Sequence, residues 1–268
     1  MNTRIDQRFA ALAAAGKKGF IAYITAGDPS LEATEDFVLR LADAGADLVE
    51  LGIPFSDPLA DGRVNQESAA RALAAGATPG RVLELIARIR KRSDIPLMGY
   101  TYMNPIHARG ANRFMREAAA AGLDGLLLLD LPVEEAGPYL EHLNKNHLNH
   151  IALVTPTTPD ERIARIVKSA TGFVYCVSRE GVTGAQDRLS PASLALVRRT
   201  KTFTQLPVAL GFGITTPDHA RTAAEAADAV VVGSAIVARH HAAPHTPEGR
   251  QSVADWVRTM VTAVKGVS

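Results

Sequence analysis

Eight short apolar runs, each followed by a longer alanine-rich stretch, limit this 268-residue chain more than any other feature. The runs occupy 20–25, 47–51, 96–102, 125–130, 151–155, 172–177, 207–211 and 229–233. Several are nearly continuous in apolar character, as strands buried on both faces must be. The stretches 31–44, 79–91, 111–121, 133–144, 159–168, 191–199 and 217–227 carry apolar residues at three- and four-residue spacing. That spacing marks a helix packed on one face. A further helical stretch, 253–264, closes the chain. Ser190-Pro191 and Thr216-Pro217 read as N-caps followed by proline at the first helical position. Eight such units predict an α/β fold, a single closed (β/α)8 TIM barrel. An open doubly wound sheet is the alternative, and it requires one of the eight runs to be misread. Residues 2–15 predict an extra N-terminal helix, suited to covering the N-terminal mouth of a barrel. No low-complexity linker divides the chain, so 1–268 reads as one domain.

The side-chain inventory excludes several classes. Hydrophobic residues make up 47% and aromatics only 5%, so the expected core is aliphatic. Twenty-nine basic against 28 acidic residues leave a net charge of +1, which gives no case for nucleic acid or an anionic membrane. No apolar run approaches the ~20 residues of a membrane span. Residues 1–18 are charged and helical in pattern, without a secretory signal. Cys176 is the single cysteine, so no intrachain disulfide can form. A buried structural thiol in a cytoplasmic protein is the expectation.

In a barrel, chemistry gathers where the strands end. The second run carries Glu50, a carboxylate that is costly to bury unless paired or used. It then breaks into a loop with Pro54, Pro58 and Gly62, and Asp61 stands just before that glycine. An acid in a strand and another on the loop after it suit general acid/base work. Taken singly, Glu50 fits a paired buried carboxylate as well, and Asp61-Gly62 fits an ordinary turn. The seventh and eighth runs end in Gly211-Phe212-Gly213 and Gly233-Ser234, with 235–238 as a short helix. Barrels commonly bind phosphate there through backbone amides. The loop 178–191, with Gly181, Thr183 and Gly184, has the length of a substrate-covering lid. There is no P-loop, dinucleotide fingerprint or metal signature. His240, His241 and His245 read as a solvated surface loop.

These segments resemble the tryptophan synthase α subunit nearly end to end. The resemblance is carried by Thr25-Ala-Gly-Asp-Pro29, Glu50-Leu-Gly-Ile-Pro-Phe-Ser-Asp-Pro-Leu-Ala-Asp-Gly62, Tyr102-Met-Asn-Pro105, Asp130-Leu-Pro-Val-Glu-Glu135, Ser178-Arg-Glu-Gly-Val-Thr-Gly184, Gly211-Phe-Gly-Ile214 and Gly233-Ser-Ala-Ile-Val237. It implies a lyase of tryptophan biosynthesis that cleaves indole-3-glycerol phosphate to indole and glyceraldehyde 3-phosphate. Glu50 and Asp61 are then the catalytic pair. Tyr175, Thr183, Phe212, Leu127 and Tyr102 position the substrate, with Leu127 and Phe212 lining the indole pocket and Thr183 anchoring the closed lid through Asp61. Gly184, Gly213, Gly233 and Ser234 hold the phosphate. The implied partner is a β subunit in an αββα complex, met around Pro54, Asp57, Pro58 and Asn104. Pyridoxal phosphate belongs to that partner, and no cofactor to this chain.

Three positions depart from the family's usual pattern: Arg63 for proline, Asn65 for isoleucine, and Leu129 for proline or a smaller residue. Arg63 could pair with Asp61 or Glu50 and shift them. Asn65 puts an amide in an apolar wall, and Leu129 could narrow the pocket. These departures leave two other functions open: a weakly catalytic subunit that mainly activates a β subunit, and a stand-alone lyase that releases indole.

Overall fold

The computed structural model describes residues 2–177, 190–211 and 213–267. Eight parallel strands close into a barrel in sequence order, each paired with the next and the last with the first. The first half runs α1 (Arg4–Ala14), β1 (Gly19–Thr25), α2 (Leu31–Asp43), β2 (Leu48–Gly52), α3 (Arg63–Ala74), α4 (Pro79–Arg90), β3 (Leu97–Thr101), α5 (Met103–Arg109), α6 (Ala111–Ala121) and β4 (Gly125–Leu128). The second half runs α7 (Gly137–Lys145), β5 (Asn149–Val154), α8 (Asp160–Ser169), β6 (Val174–Val177), α9 (Pro191–Lys201), β7 (Val208–Gly211), α10 (Pro217–Ala226), β8 (Ala229–Val232), α11 (Ser234–Ala242) and α12 (Pro247–Lys265).

Side-chain alternation divides the core in two. Outward residues of the strands join the helices in a large aliphatic layer that includes Phe37, Leu85, Ile89 and Val257. Inward residues such as Ile21, Leu48, Met98, Leu127, Ile151 and Phe173 fill the barrel. The N-terminal helix adds Ile5, Phe9 and Leu12 to that inner cluster, with the Phe9 and Phe173 rings 5.3 Å apart. It closes the N-terminal mouth, as its position before the first strand predicts. Its start is fixed by a capping box in which Thr3 and Asp6 bond each other's backbone amides. Ser190 and Thr216 cap α9 and α10, with Pro191 and Pro217 opening those helices.

Four helices differ from the expected spans, for local reasons. Helix α3 follows a glycine cap without side-chain bonding and buries only Ser68, Ala69 and Ala72, so its apolar signal is faint. Helix α5 is short, with Pro105 tolerated in its first turn. Helix α7 begins at Gly137 rather than 133, because Pro138 fits a first turn and no later one. Helix α12 begins six residues early, where Thr246 caps it. Cys176 is buried, as expected. His240 is not part of a solvated loop: it lies in α11, buried and stacked on Phe37 at 4.3 Å, and desolvation pushes its pKa down to about 4.

Candidate active site

A cavity of about 230 Å³ opens at the C-terminal ends of the strands. Its floor is set by the inward phase of alternation. Tyr23 of β1 pairs in register with Glu50 of β2, and Tyr100 of β3 and Tyr175 of β6 join them in the wall. Two glycines make this packing possible. A Cβ on Gly52 would meet the Tyr23 hydroxyl at 2.5 Å, and one on Gly211 would strike the Tyr175 hydroxyl. Small residues on neighbouring strands thus leave room for three phenols around one carboxyl.

Glu50 is 1% exposed, and its Oε1 has no hydrogen-bond partner among the described residues. Burial, reinforced by the nearby Asp61 charge, pushes its pKa up to about 8. The same surroundings, burial first, hold the phenols of Tyr23, Tyr100 and Tyr175 well above their usual range. At neutral pH Glu50 is therefore a neutral acid facing an empty space, able to give a proton and take one back.

Asp61 stands on the loop after β2 and is 6% exposed. Tyr102 donates to its Oδ2 at 2.7 Å and Tyr100 to its Oδ1 at 3.0 Å. The Asn65 Nδ2 donates more weakly to Oδ1, at 3.4 Å. All three donors are uncharged. Burial therefore outweighs them and leaves the pKa of Asp61 raised. Asp61-Gly62 is not a simple turn, since Gly62 caps α3 and the first turn of that helix forms one wall of the cavity. The helix is tied to the loop after β1: Asp28 accepts Arg71 at 3.0 and 2.6 Å and Ser68 at 2.6 Å.

Across the cavity lie Gly213, Gly233 and Ser234. Gly213 has φ of +74° with open space where a Cβ would stand, and its backbone is exposed. Gly233 precedes and Ser234 begins α11, a helix of nine residues. The first-turn amides of a helix have no partner within it and favour an anion.

The sequence-based expectations divide as follows. Glu50, Tyr175, Gly213, Gly233 and Ser234 line the cavity. Tyr102 holds Asp61 from behind and does not line it. Leu127 is fully buried in the inner barrel cluster, not in the cavity wall; its inward phase on β4 places it opposite Tyr100 in register. Leu129 packs against the same cluster and lies outside the wall as well. Arg63 does not engage either acid. It is 89% exposed and pairs with Glu67 at 2.7 Å, one helical turn on. Thr183, Gly184 and Phe212 lie outside the described residues. The sequence does not single out Tyr23 and Tyr100: Tyr100 stands two residues before Tyr102, and Tyr23 joins the site only through the register that sets it beside Glu50. Pro54 and Asn104 border a separate surface hollow of about 480 Å³ with Phe55 and Pro105, and Asp57 is exposed nearby in sequence. No group of three or more potential metal ligands occurs among the described residues. No helix among them is long and apolar enough to cross a membrane.

Comparison with known proteins extends the likeness over the whole chain. Residues 9–265 match the family model described as tryptophan synthase alpha chain. The alpha chain of Carboxydothermus hydrogenoformans is 44% identical over 266 residues, covering 99% of this chain and 100% of that one. That of Geobacter sp. (strain M21) is 47% identical over 235 residues, 88% of each. Among solved structures, the tryptophan synthase subunit alpha of Legionella pneumophila str. Paris superposes with a TM-score of 0.91 at 36% identity, covering 100% of both chains. One from Mycobacterium tuberculosis tryptophan synthase gives 0.90 at 30% identity, over 99% of each. The closed barrel, the acid pair at its C-terminal mouth and these likenesses agree: the chain belongs to the tryptophan synthase alpha chain family.

Proposed function

We propose that this chain performs its family's lyase reaction with Glu50 moving both protons and Asp61 steadying the ring. The reaction is the retro-aldol cleavage of indole-3-glycerol phosphate to indole and glyceraldehyde 3-phosphate in tryptophan biosynthesis. The family's alpha chain needs no cofactor, and pyridoxal phosphate belongs to the beta subunit. The single observation that carries the assignment is the buried Glu50 carboxyl on the cavity wall, with Oε1 unbonded among the described residues and a pKa raised to about 8.

The neutral Glu50 donates a proton to indole carbon C3, and the ring nitrogen takes up the positive charge. The resulting carboxylate accepts the proton of the side-chain hydroxyl as the carbon–carbon bond breaks. The aldehyde forms, indole leaves, and Glu50 ends protonated as it began. Asp61 accepts the indole N–H and stabilises the cationic ring. Gly213, Gly233 and Ser234 cradle the phosphate with exposed backbone and a helix N-terminus. Thr183, Gly184 and Phe212 retain the roles that the resemblance implies. Tyr175 positions the substrate beside Glu50.

The partner is a beta subunit, in an αββα complex in the cytoplasm. Its contact face includes Pro54, Asp57, Pro58 and Asn104. Leu59, 83% exposed on the same loop, is the large hydrophobic side chain most in need of cover. Cleavage of indole-3-glycerol phosphate by the purified chain, alone and with a beta subunit, tests the whole reading, with Glu50→Gln and Asp61→Asn as controls. Activity that rises with the partner and vanishes in both variants is expected. A folded chain that cleaves nothing in either condition refutes it. High turnover without any stable complex would instead favour the stand-alone lyase.

A further inference from the structure

Asn65 is a wall residue with part of its hydrogen-bonding capacity unused. It lies on the first turn of α3, four residues after Asp61, and lines the cavity. Its Nδ2 donates to Asp61, while its Oδ1 is shut off from solvent and has no partner. Chemistry fixes which way the amide points. Both Asp61 oxygens already receive a phenol hydroxyl, so the carboxylate acts as an acceptor. An acceptor faces the NH2 end of an amide and repels the carbonyl end. The Asn65 oxygen is therefore turned away from Asp61 with nothing to accept from.

Four buried side-chain atoms without a hydrogen bond are found among the described residues, one of which, Arg199 Nε, still meets Asp160 in an ion pair. Two belong to arginines of the outer helices α4 and α9; the other two, Glu50 Oε1 and Asn65 Oδ1, belong to residues of this cavity. A buried carbonyl that has given up water needs a donor to recover the loss. Neighbouring Arg63 does not supply one, because its guanidinium points to solvent and Glu67.

We propose that Asn65 is a specificity residue whose Oδ1 accepts a hydrogen bond from a donor on the aromatic ring of the substrate. The cavity then takes ring-hydroxylated indolyl substrates alongside the unsubstituted one. This rests on reading the cavity as an indole-3-glycerol phosphate site. There Asp61 takes the ring N–H, and its hydrogen-bonded neighbour Asn65 faces the benzo edge beside that nitrogen.

The reverse reaction provides the test, since indoles are simpler to vary than their glycerol phosphates. Indole carbon C3 bonds to the aldehyde carbon of glyceraldehyde 3-phosphate, and the C3 proton is returned through Glu50 to the new hydroxyl. The kcat/KM of each benzo-ring hydroxyindole, relative to indole, is measured in the unaltered chain and in Asn65→Leu, a near-isosteric change. Asn65→Ala carries the same comparison if the leucine variant does not fold. For at least one ring position the ratio to indole should fall about tenfold in the variant, as for an ordinary hydrogen bond lost. Ratios that stay within about twofold at every position overturn the inference. So does an unaltered chain that condenses indole and no hydroxyindole. A chain that does not condense indole at all overturns the reading of the cavity beneath it.

Discussion

The carboxylates that precede the strands at the N-terminal mouth and the two acids of the cavity are held in opposite ways, although Asp28, on the loop after β1, is paired with Arg71. At the N-terminal mouth, Asp47, Asp124 and Asp228 each sit just before a strand and accept a backbone amide from the first two residues of the preceding one: Phe20, Leu97 and Val208. Each also meets a cation. Lys265 reaches Asp47 at 3.1 Å, Arg90 reaches Asp124 at 3.1 Å, and Lys201 reaches Asp228 at 2.7 Å. In the cavity, and among the described residues, Glu50 has an oxygen with no hydrogen-bond partner, and Asp61 is held only by neutral donors. Full pairing fixes strand register and offers no spare proton chemistry. Incomplete pairing costs stability and leaves a group free to react.

If that contrast is right, substitutions at the two mouths should fail in opposite assays. The largest effect is expected for Glu50→Gln, which removes the titrating proton and keeps the shape. Cleavage should drop by about 10²–10⁴-fold, the range for a general acid–base group, with secondary structure intact by circular dichroism. Asp61→Asn should cost about 10²–10³-fold, as for a lost electrostatic stabiliser. A Glu50→Gln chain that retains its rate would erase the functional half of the comparison.

Asp124→Ala should do the reverse. It strips the partner from Arg90, whose side chain is 12% exposed, and from the amide of Leu97. A loss of about 2–4 kcal/mol in denaturant unfolding is expected, with the rate at saturating substrate unchanged. A fall in that rate at unchanged stability would show that the lower mouth is coupled to the chemistry.

Titration sharpens the same contrast. Glu50 must be protonated to start the reaction, so kcat/KM should be level below about pH 8 and decline above it. Asp61 must be ionised, and its raised pKa moves the acid limb above that of an ordinary aspartate. Stability follows the proton count. Folded Glu50 keeps a proton that the unfolded chain releases above the ordinary carboxyl value of 4.5, so its contribution worsens as pH rises from there to about 8. Glu50→Gln should accordingly be more stable than the unaltered chain at pH 7, by on the order of 3 kcal/mol. A stability difference that does not change between pH 5 and 8 would show that Glu50 is not held neutral.

Much of this is legible in the sequence, for identifiable reasons. Apolar runs declare themselves, and the eight strands fall within three residues of their expected bounds because burial on both faces leaves no room for polar residues. Glu50 is conspicuous for the same reason. What escapes is decided by contacts between elements. Helix α3 hides because its buried face is made of Ser68, Ala69 and Ala72. Tyr100 looks like an ordinary strand residue until β2 and β3 are set in register beside the loop that carries Asp61. His240 reads as solvated among polar neighbours, and only the packing of α11 against Phe37 buries it. Arg63 looks threatening in sequence, one residue from Gly62, because distance along the chain says nothing about direction.

Arg63 gives the smallest expected effect and the most direct check on that point. On the first turn of α3 it borders the cavity, but its guanidinium pairs with Glu67, in the i, i+4 spacing at which an arginine and a glutamate meet. An exposed pair of this kind is screened by solvent and contributes little. Asp61 takes its hydrogen bonds from Tyr100, Tyr102 and Asn65, none of which touches Arg63 through a hydrogen bond. Arg63→Ala should therefore leave kcat/KM within about twofold and the melting temperature where it was, in line with surface substitutions generally. Both limbs of the pH profile should stay in place. A displaced limb in Arg63→Ala would mean that the guanidinium reaches the acids during turnover, and that the upper mouth, like the lower one, pairs its carboxylates with a cation.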